Sequence, residues 1–138
     1  ETGKMLVANF ANEFSNMNGT FTKFDTTLTL KGTWTSDKLS DNSYRKIVAN
    51  AGNFSEYHRL DKTDWSEAIK GTYTTENPAT LTIDQVDTSI LNNDPSGKWT
   101  DWDDLDPETK NKVGGSKTVM VIIYSDRCET HGVALYKK

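Results

Sequence analysis

The chain has 138 residues, the usual size of one domain, and a net charge of −4 from 16 basic and 20 acidic residues. It shows no basic stripe, which argues against nucleic-acid recognition, and no apolar run approaches the length of a membrane-spanning helix. Apolar residues are only 34% of the chain, but 14 residues are aromatic and 19 are Thr, which favours strands. This composition indicates a β-rich chain with few large helices.

A helix is predicted over residues 4–17, because apolar residues recur there at helical spacing and Asn18-Gly19 follows as a stop signal. The residues that form this apolar stripe are Leu6, Phe10, Phe14 and Met17. The helix either packs over the mouth or flank of a barrel, or serves as a lid or as a stalk toward a membrane anchor.

Several features of the sequence concern export. Residues 1–3, Glu-Thr-Gly, are expected to be an expression-vector scar left by signal-peptide cleavage, in which case the protein's own export signal is missing from this sequence. Glycosylation sequons occur at Asn18 and Asn53, although such triplets arise often by chance in a chain rich in Asn and Thr. The lone Cys128 excludes an intramolecular disulfide and a cysteine-rich zinc site.

From residue 27 to residue 138 the pattern has the period of strands. Leu28, Leu30 and Trp34 share one face of the first strand, and threonines dominate the other. Six further strands are predicted over 44–49, 54–60, 67–75, the segment from residue 81, 117–125 and 130–137. In the segment from residue 81 the alternation shifts by one residue, so that Val86, Thr88 and Ile90 continue the strand at even-numbered positions. A β-bulge near Gln85 explains this shift.

Residues 92–116 form a turn-rich insertion. Asp106 followed by Pro107 predicts the start of a short helix, and Gly114-Gly115 predicts its end. The other strands follow one another through tight turns, including one at Asp126-Arg127-Cys128. The sequence therefore predicts an all-β fold with minor helices: an antiparallel up-and-down barrel of seven or eight strands with an N-terminal helix, in a single domain over 4–138.

Three ordered signals resemble the bacterial lipocalin-like lipoproteins over about residues 25–138. These signals are Gly32-Thr33-Trp34, the related motif Lys70-Gly71-Thr72-Tyr73-Thr74, and the closing strand Ala134-Leu135-Tyr136-Lys137-Lys138. The resemblance implies an eight-stranded calycin-type barrel that holds a small apolar ligand or is filled by side chains. It also implies export, a lipid anchor on an upstream Cys, and a basic residue packed over the Trp, with Lys137 and Lys138 as candidates.

The chain departs from this family in two ways. Seven strands are recognisable rather than eight, and the insertion at 92–116 stands where a simple hairpin is expected. The insertion either supplies the missing strand around residues 98–102 or is a decorated loop.

Catalytic and metal chemistry find little support, so we expect a protein that is not an enzyme and holds no cofactor or metal. Cys128 and His131 could pair only if the fold brings them together, and His58 lacks the spacing of a metal site. An acidic cluster lies in the insertion, without the Gly of a calcium loop. It consists of Asp101, Asp103, Asp104, Asp106 and Glu108.

The leading hypothesis is an exported, monomeric carrier of a small apolar ligand, found at the cell surface, in the periplasm or outside the cell. The inward-facing candidates for ligand contact are Leu28, Leu30, Trp34, Ile47, Ile69, Tyr73, Leu81 and Ile83. The alternative is a side-chain-filled barrel whose loops bind a host or neighbouring protein through Trp65, Trp99 and Trp102. For Trp99 and Trp102 a structural role, capping one end of the barrel, is the favoured interpretation.

Overall fold

A computed structural model describes residues 24–138. The helix predicted over 4–17 and the sequon at Asn18 lie outside the described residues. The strands are β1 (Gly32–Ser36), β2 (Ser43–Asn50), β3 (Asn53–Leu60), β4 (Ser66–Tyr73), β5 (Ala79–Asp87), β6 (Trp99–Asp101), β7 (Thr118–Ile123), β8 (Arg127–Thr130) and β9 (Val133–Lys137). Two short helices, α1 (Thr88–Leu91) and α2 (Pro107–Lys112), and a 3₁₀ turn (Trp102–Asp104) complete the described elements.

Eight of these strands close into an antiparallel barrel. Each strand pairs with the next along the chain, β5 pairs with both β4 and β7, and β9 returns to pair with β1. In β1, Trp34 therefore lies between Ile47 of β2 and Lys137 of β9. Closure leaves none of the eight strands with an unpaired edge. The predicted all-β barrel is confirmed.

The eighth barrel strand lies where the sequence predicted a turn. β8 begins at Arg127, whereas the pattern placed Asp126-Arg127-Cys128 in a turn. The short strand predicted around 98–102 exists as β6, but it pairs only with the end of β5 and stays outside the barrel. A four-residue strand with polar residues at three positions gives no readable apolar alternation, which explains the error.

The chain leaves β5 earlier than its apolar pattern predicted. Thr88 and Ile90 lie in α1 rather than in a continuing strand, because the Asp87 side chain accepts a hydrogen bond of 2.9 Å from the Ser89 backbone N–H and caps a helix. The predicted bulge is present one residue away from Gln85. Gln85 pairs with Lys70 and Ile83 pairs with Gly71, so Asp84 has no partner on β4.

Gly71 allows β4 to approach β5 closely beside this bulge. A Cβ atom at this position would overlap the backbone carbonyl oxygen of Thr82 and crowd the ring of Phe54. Gly71 therefore allows two strands to pack closely. A Gly inside a strand typically marks either a sharp bend or such a close approach of another backbone.

Side chains close one end of the barrel. The Trp34 indole N–H donates a 2.7 Å hydrogen bond to the Leu30 carbonyl, and Lys137 Nζ lies 5.3 Å from the Trp34 ring centroid. Buried Asn77 fixes the neighbouring loop, since its amide donates to the Asp25 and Ile123 carbonyls at 2.9 Å. Its side-chain oxygen accepts from the Ile123 N–H at 3.0 Å. We call the group around Trp34 and Leu30 the floor of the barrel.

Replacing Gly71 with Ala is expected to lower the free energy of unfolding by about 3 kcal/mol or more, because the added methyl meets backbone that cannot move alone. Gly52→Ala is the matched control. Gly52 has a φ of +85° but open space around it, so only the backbone penalty of roughly 1 kcal/mol applies. Urea unfolding of both variants measures the difference, and equal losses would contradict the close-approach role of Gly71.

Candidate ligand cavity

The barrel encloses a cavity of about 340 Å³. Its walls are apolar and come from six strands: Ile47, Phe54, Ile69, Leu81, Ile83, Val119 and Leu135. Polar side chains line the end away from the floor: Arg45, Glu56, His58, Thr130 and His131. Arg45 lies near the start of β2, His58 near the end of β3, and Thr130 and His131 at and just after the end of β8, whereas Glu56 lies in the middle of β3. We call this end of the barrel the mouth.

The structure brings four of the eight predicted ligand-contact residues together in the cavity wall. These four are Ile47, Ile69, Leu81 and Ile83. Leu30, Trp34 and Tyr73 are buried in the core but do not line the cavity, and Leu28 packs partly buried against that core. Sequence parity identified the inward face, but it does not show which inward residues line the cavity.

The insertion folds over the mouth as a cap formed by α1, α2 and the residues beside them. Ile90, Leu91, Lys112 and Val113 contribute its surface toward the cavity. Two hydrogen bonds join the helices: Asn92 donates to the Thr109 hydroxyl at 3.1 Å, and Lys112 donates to the Asn92 side-chain oxygen at 2.8 Å. The cavity is therefore lined by the wall and by the cap.

Both ends of α2 match the prediction from sequence. The Asp106 carboxylate accepts a 2.8 Å hydrogen bond from the Thr109 N–H, which lowers the pKa of Asp106, and Pro107 is the first helical residue. Gly114 and Gly115, both with positive φ, donate to the carbonyls of Asn111 and Lys110 at 3.1 and 2.8 Å. This tight ending places the backbone of Gly114 against the His131 ring at the mouth.

The charged residues of the mouth form a loose cluster on β2 and β3. Glu56 Oε2 lies 2.7 Å from His58 Nε2 and 3.9 Å from Arg45 Nη1, so it is hydrogen-bonded to the histidine only. Arg45 Nη2 lies 4.0 Å from Asp41 Oδ2, again beyond hydrogen-bond distance. The sequence analysis did not select Arg45 or Glu56 as site residues. The sequence did contain a signal for them: Arg45 alternates in phase with Ile47, and Glu56 with Phe54, which places both charged residues on the inward face.

Two buried polar atoms at the mouth lack a hydrogen-bond partner among residues 24–138. They are Arg45 Nε and the Thr130 hydroxyl oxygen. A buried polar group without a partner typically costs about 1–3 kcal/mol, more for a charged group. Both residues line the cavity, but these two atoms themselves have almost no accessible surface.

The tryptophans proposed for partner binding have different environments. Trp102 is a core residue with 7% exposure, whereas Trp65 and Trp99 are half-buried. Trp65 lies between Lys46 and Arg59, whose charges are 4.7 and 5.0 Å from its ring centroid. Trp99 lies under Lys70 Nζ at 4.2 Å. The three rings thus do not form one exposed group.

The residues considered for catalysis or metal binding have separate environments in the structure. Cys128 is fully buried, and burial raises the pKa of its thiol to about 12. His131 follows in the turn between β8 and β9, while His58 is engaged by Glu56. Across the described range, no three His, Cys, Asp or Glu residues are grouped to hold a metal ion. In the acidic cluster, Asp106 caps α2 and Asp101 accepts a 2.8 Å hydrogen bond from Gln85.

No helix within residues 24–138 has the length and apolar character needed to cross a membrane. Comparison of the chain with protein-family models, curated proteins and solved structures finds no match. The barrel and its cavity are therefore the observations from which function is argued.

We expect Cys128 to resist a small thiol reagent at neutral pH while the protein is folded. Its raised pKa keeps the thiol protonated, and its burial blocks access, whereas the reactive species is the exposed thiolate. Mass spectrometry after labelling should show no modification of native protein and complete modification in denaturant. Stoichiometric labelling of the native protein would contradict the burial of this residue.

Thr130→Val is expected to raise the free energy of unfolding of the ligand-free protein by about 1 kcal/mol, because it removes an unpartnered buried hydroxyl while keeping the side-chain shape. Urea unfolding measures the change. Thr80→Val, at an exposed position of β5, is the control and should change stability much less. A clear loss of stability in Thr130→Val would show that the hydroxyl has a partner in the ligand-free protein.

Proposed function

We propose that this chain is a non-enzymatic, lipocalin-like binding protein that carries a small, largely apolar ligand inside its barrel. The observation that supports this most strongly is the cavity of about 340 Å³. Its volume lies at the lower end of the range typical of small-molecule sites, roughly 300–1,000 Å³. Apolar walls with a few convergent polar groups are the usual composition of such sites.

The distribution of side-chain size inside the barrel favours a carrier over a filled barrel. The largest ring, Trp34, is confined to the floor. Above it the wall consists mainly of aliphatic side chains, which leave the centre open toward the mouth. A barrel filled by its own side chains would need large residues at both levels.

Membership of the bacterial lipocalin-like lipoproteins is part of the proposal. Gly32-Thr33-Trp34 opens the first barrel strand, and Lys137 packs over the Trp34 ring, which is the arrangement that the resemblance implies. Export, a lipid anchor upstream of this sequence and a monomeric state are proposed on the resemblance alone.

A second candidate is a surface module that binds another protein through the outer wall. Lys46 lies 4.7 Å from the ring centroids of both Tyr57 and Trp65, and Arg59 lies 4.0 Å from that of Tyr44. Such a half-buried row of aromatic rings and cations resembles the residues enriched at binding hot spots. It supports Trp65 as the anchor of this alternative, whereas buried Trp102 gives it little support.

Ile83→Trp tests the carrier function, because the larger ring projects into the cavity and removes the space for a ligand. Thr80→Trp is the matched control, since it places the same ring on the outer face of the same strand. We expect an apolar fluorescent probe to bind the parent protein and Thr80→Trp with similar affinity. Binding to Ile83→Trp should weaken by about tenfold or more.

Circular dichroism must show that both variants fold before their affinities are compared. Equal probe affinity for the two tryptophan variants would contradict binding inside the barrel. It would direct the search to the outer wall around Trp65, where titration with the probe should then respond to Trp65→Ala.

A further inference from the structure

We propose that the outer wall formed by β2, β3 and β4 binds a linear, densely charged acidic polysaccharide. The contacts are Lys46, Arg59 and Lys70, one cation on each strand, which we call the cationic row. Three features support this: the row forms no ion pair within the described chain, aromatic rings hold its charges in place, and the strands beneath it have no free edge. The row lies outside the barrel, so its role is independent of what the cavity holds.

Positive charge is concentrated on this wall although the whole chain has a net charge of −4. In the described part of β2, β3 and β4, the outward positions carry the three cations of the row and one carboxylate, Glu67, which lies opposite Tyr57. The ion pairs formed among residues 24–138 include no member of the row. Charge complementarity therefore favours an anionic partner.

Aromatic rings hold these charges in fixed positions above the strands. The ring centroid of Trp65 lies 4.7 Å from Lys46 Nζ and 5.0 Å from Arg59 Cζ. Lys70 Nζ lies 4.2 Å from the ring centroid of Trp99. All three cationic side chains are half-buried rather than extended into solvent. A cation that is already held over a ring loses little further conformational freedom when an anion binds, which strengthens binding.

Arg127 shows the contrasting arrangement on another part of the outer wall. Its guanidinium also lies over a ring, 4.1 Å from the Tyr124 centroid. Its Nε, however, donates a 2.9 Å hydrogen bond to Glu129, and its Nη1 donates one of 3.2 Å to Asp126. The charge of Arg127 is therefore neutralised within the protein, whereas the described residues provide no such carboxylate for the cationic row.

The architecture of the wall favours a polysaccharide over a peptide or a nucleic acid. β2, β3 and β4 each pair with a strand on both sides, so an extended peptide finds no strand edge to join. Single-stranded nucleic acids bind by stacking bases on exposed ring faces, but cations lie over the faces of Trp65 and Trp99. A convex wall with ordered cations suits a flexible chain that makes contact through closely spaced anionic groups.

The test measures the binding of fluorescently labelled dextran sulfate to the full chain by fluorescence anisotropy at low ionic strength. Uncharged dextran, poly-L-glutamate and an oligothymidylate serve as the neutral, peptide and nucleic-acid probes. Arg59→Gln and Lys46→Gln each remove one charge of the cationic row, and Arg59→Lys keeps that charge. Arg127→Gln is the matched control, because it removes the same charge from a cation that has carboxylate partners. Urea unfolding shows whether each variant is folded.

We expect the parent protein to bind dextran sulfate and to bind the other three probes about tenfold or more weakly. Arg59→Gln and Lys46→Gln should each weaken dextran sulfate binding by about threefold or more, since each removes one contact charge. Arg59→Lys and Arg127→Gln should change it by less than about twofold. Binding should disappear as the salt concentration rises to about 0.5 M, because salt screens charges at an exposed surface.

Absence of dextran sulfate binding, or a loss in Arg127→Gln as large as in Arg59→Gln, would overturn the proposal. Tighter binding of poly-L-glutamate would overturn it in favour of an acidic protein partner, and tighter binding of the oligothymidylate in favour of a nucleic acid. If Arg59→Gln and Lys46→Gln do not fold, Lys70→Gln decides, and an unchanged affinity overturns the proposal. The apolar-probe titration of Ile83→Trp reports on the inside of the barrel, so either result can fail without the other.

Discussion

The antiparallel pairing of β9 with β1 is the constraint on which the remaining structure depends. It places Lys137 opposite Trp34 and joins the two ends of the strand order, so that an open sheet becomes a barrel. Once the barrel is closed, alternate residues of every strand must face a common interior. That single pairing thus creates both the buried core and the enclosed space within it.

The interior that results is different at its two ends. At the floor, Trp34 and Asn77 satisfy their polar groups by hydrogen bonds to backbone atoms, and little space remains. At the mouth, Arg45 and Thr130 line the cavity, and each keeps one buried polar atom that has no partner among residues 24–138. An unpartnered buried polar atom lowers the stability of a folded chain, so the two ends of the barrel differ in how well their polar groups are satisfied.

Local patterns predicted much of the fold because their causes are local. The alternation that placed Ile47 and Leu81 inside follows from the period of a strand, and the ends of α2 follow from the chemistry of Asp106-Pro107 and Gly114-Gly115. β8 escaped prediction because its polar residues show no alternation, and its place is fixed by pairing with β7 and β9. The strand pairing, rather than any local signal, completes the barrel.

The candidate site was predicted only in part, for a related reason. The alternation of residues along a strand shows only which face of the sheet each side chain is on. It therefore grouped floor residues such as Leu30 with wall residues such as Ile69. Which inward residues line the cavity depends on how the strands and the insertion pack together, and the sequence does not display that packing. Arg45 and Glu56 shared the inward parity, but charged residues at inward positions were not read as a site.

The most direct test of a ligand-filled barrel is native mass spectrometry of the freshly purified protein, combined with organic extraction of whatever is bound. The account predicts a small-molecule adduct that is lost on denaturation and that the extract identifies as a largely apolar molecule. A single ligand-free mass that is unchanged by incubation with an apolar fluorescent probe would contradict it.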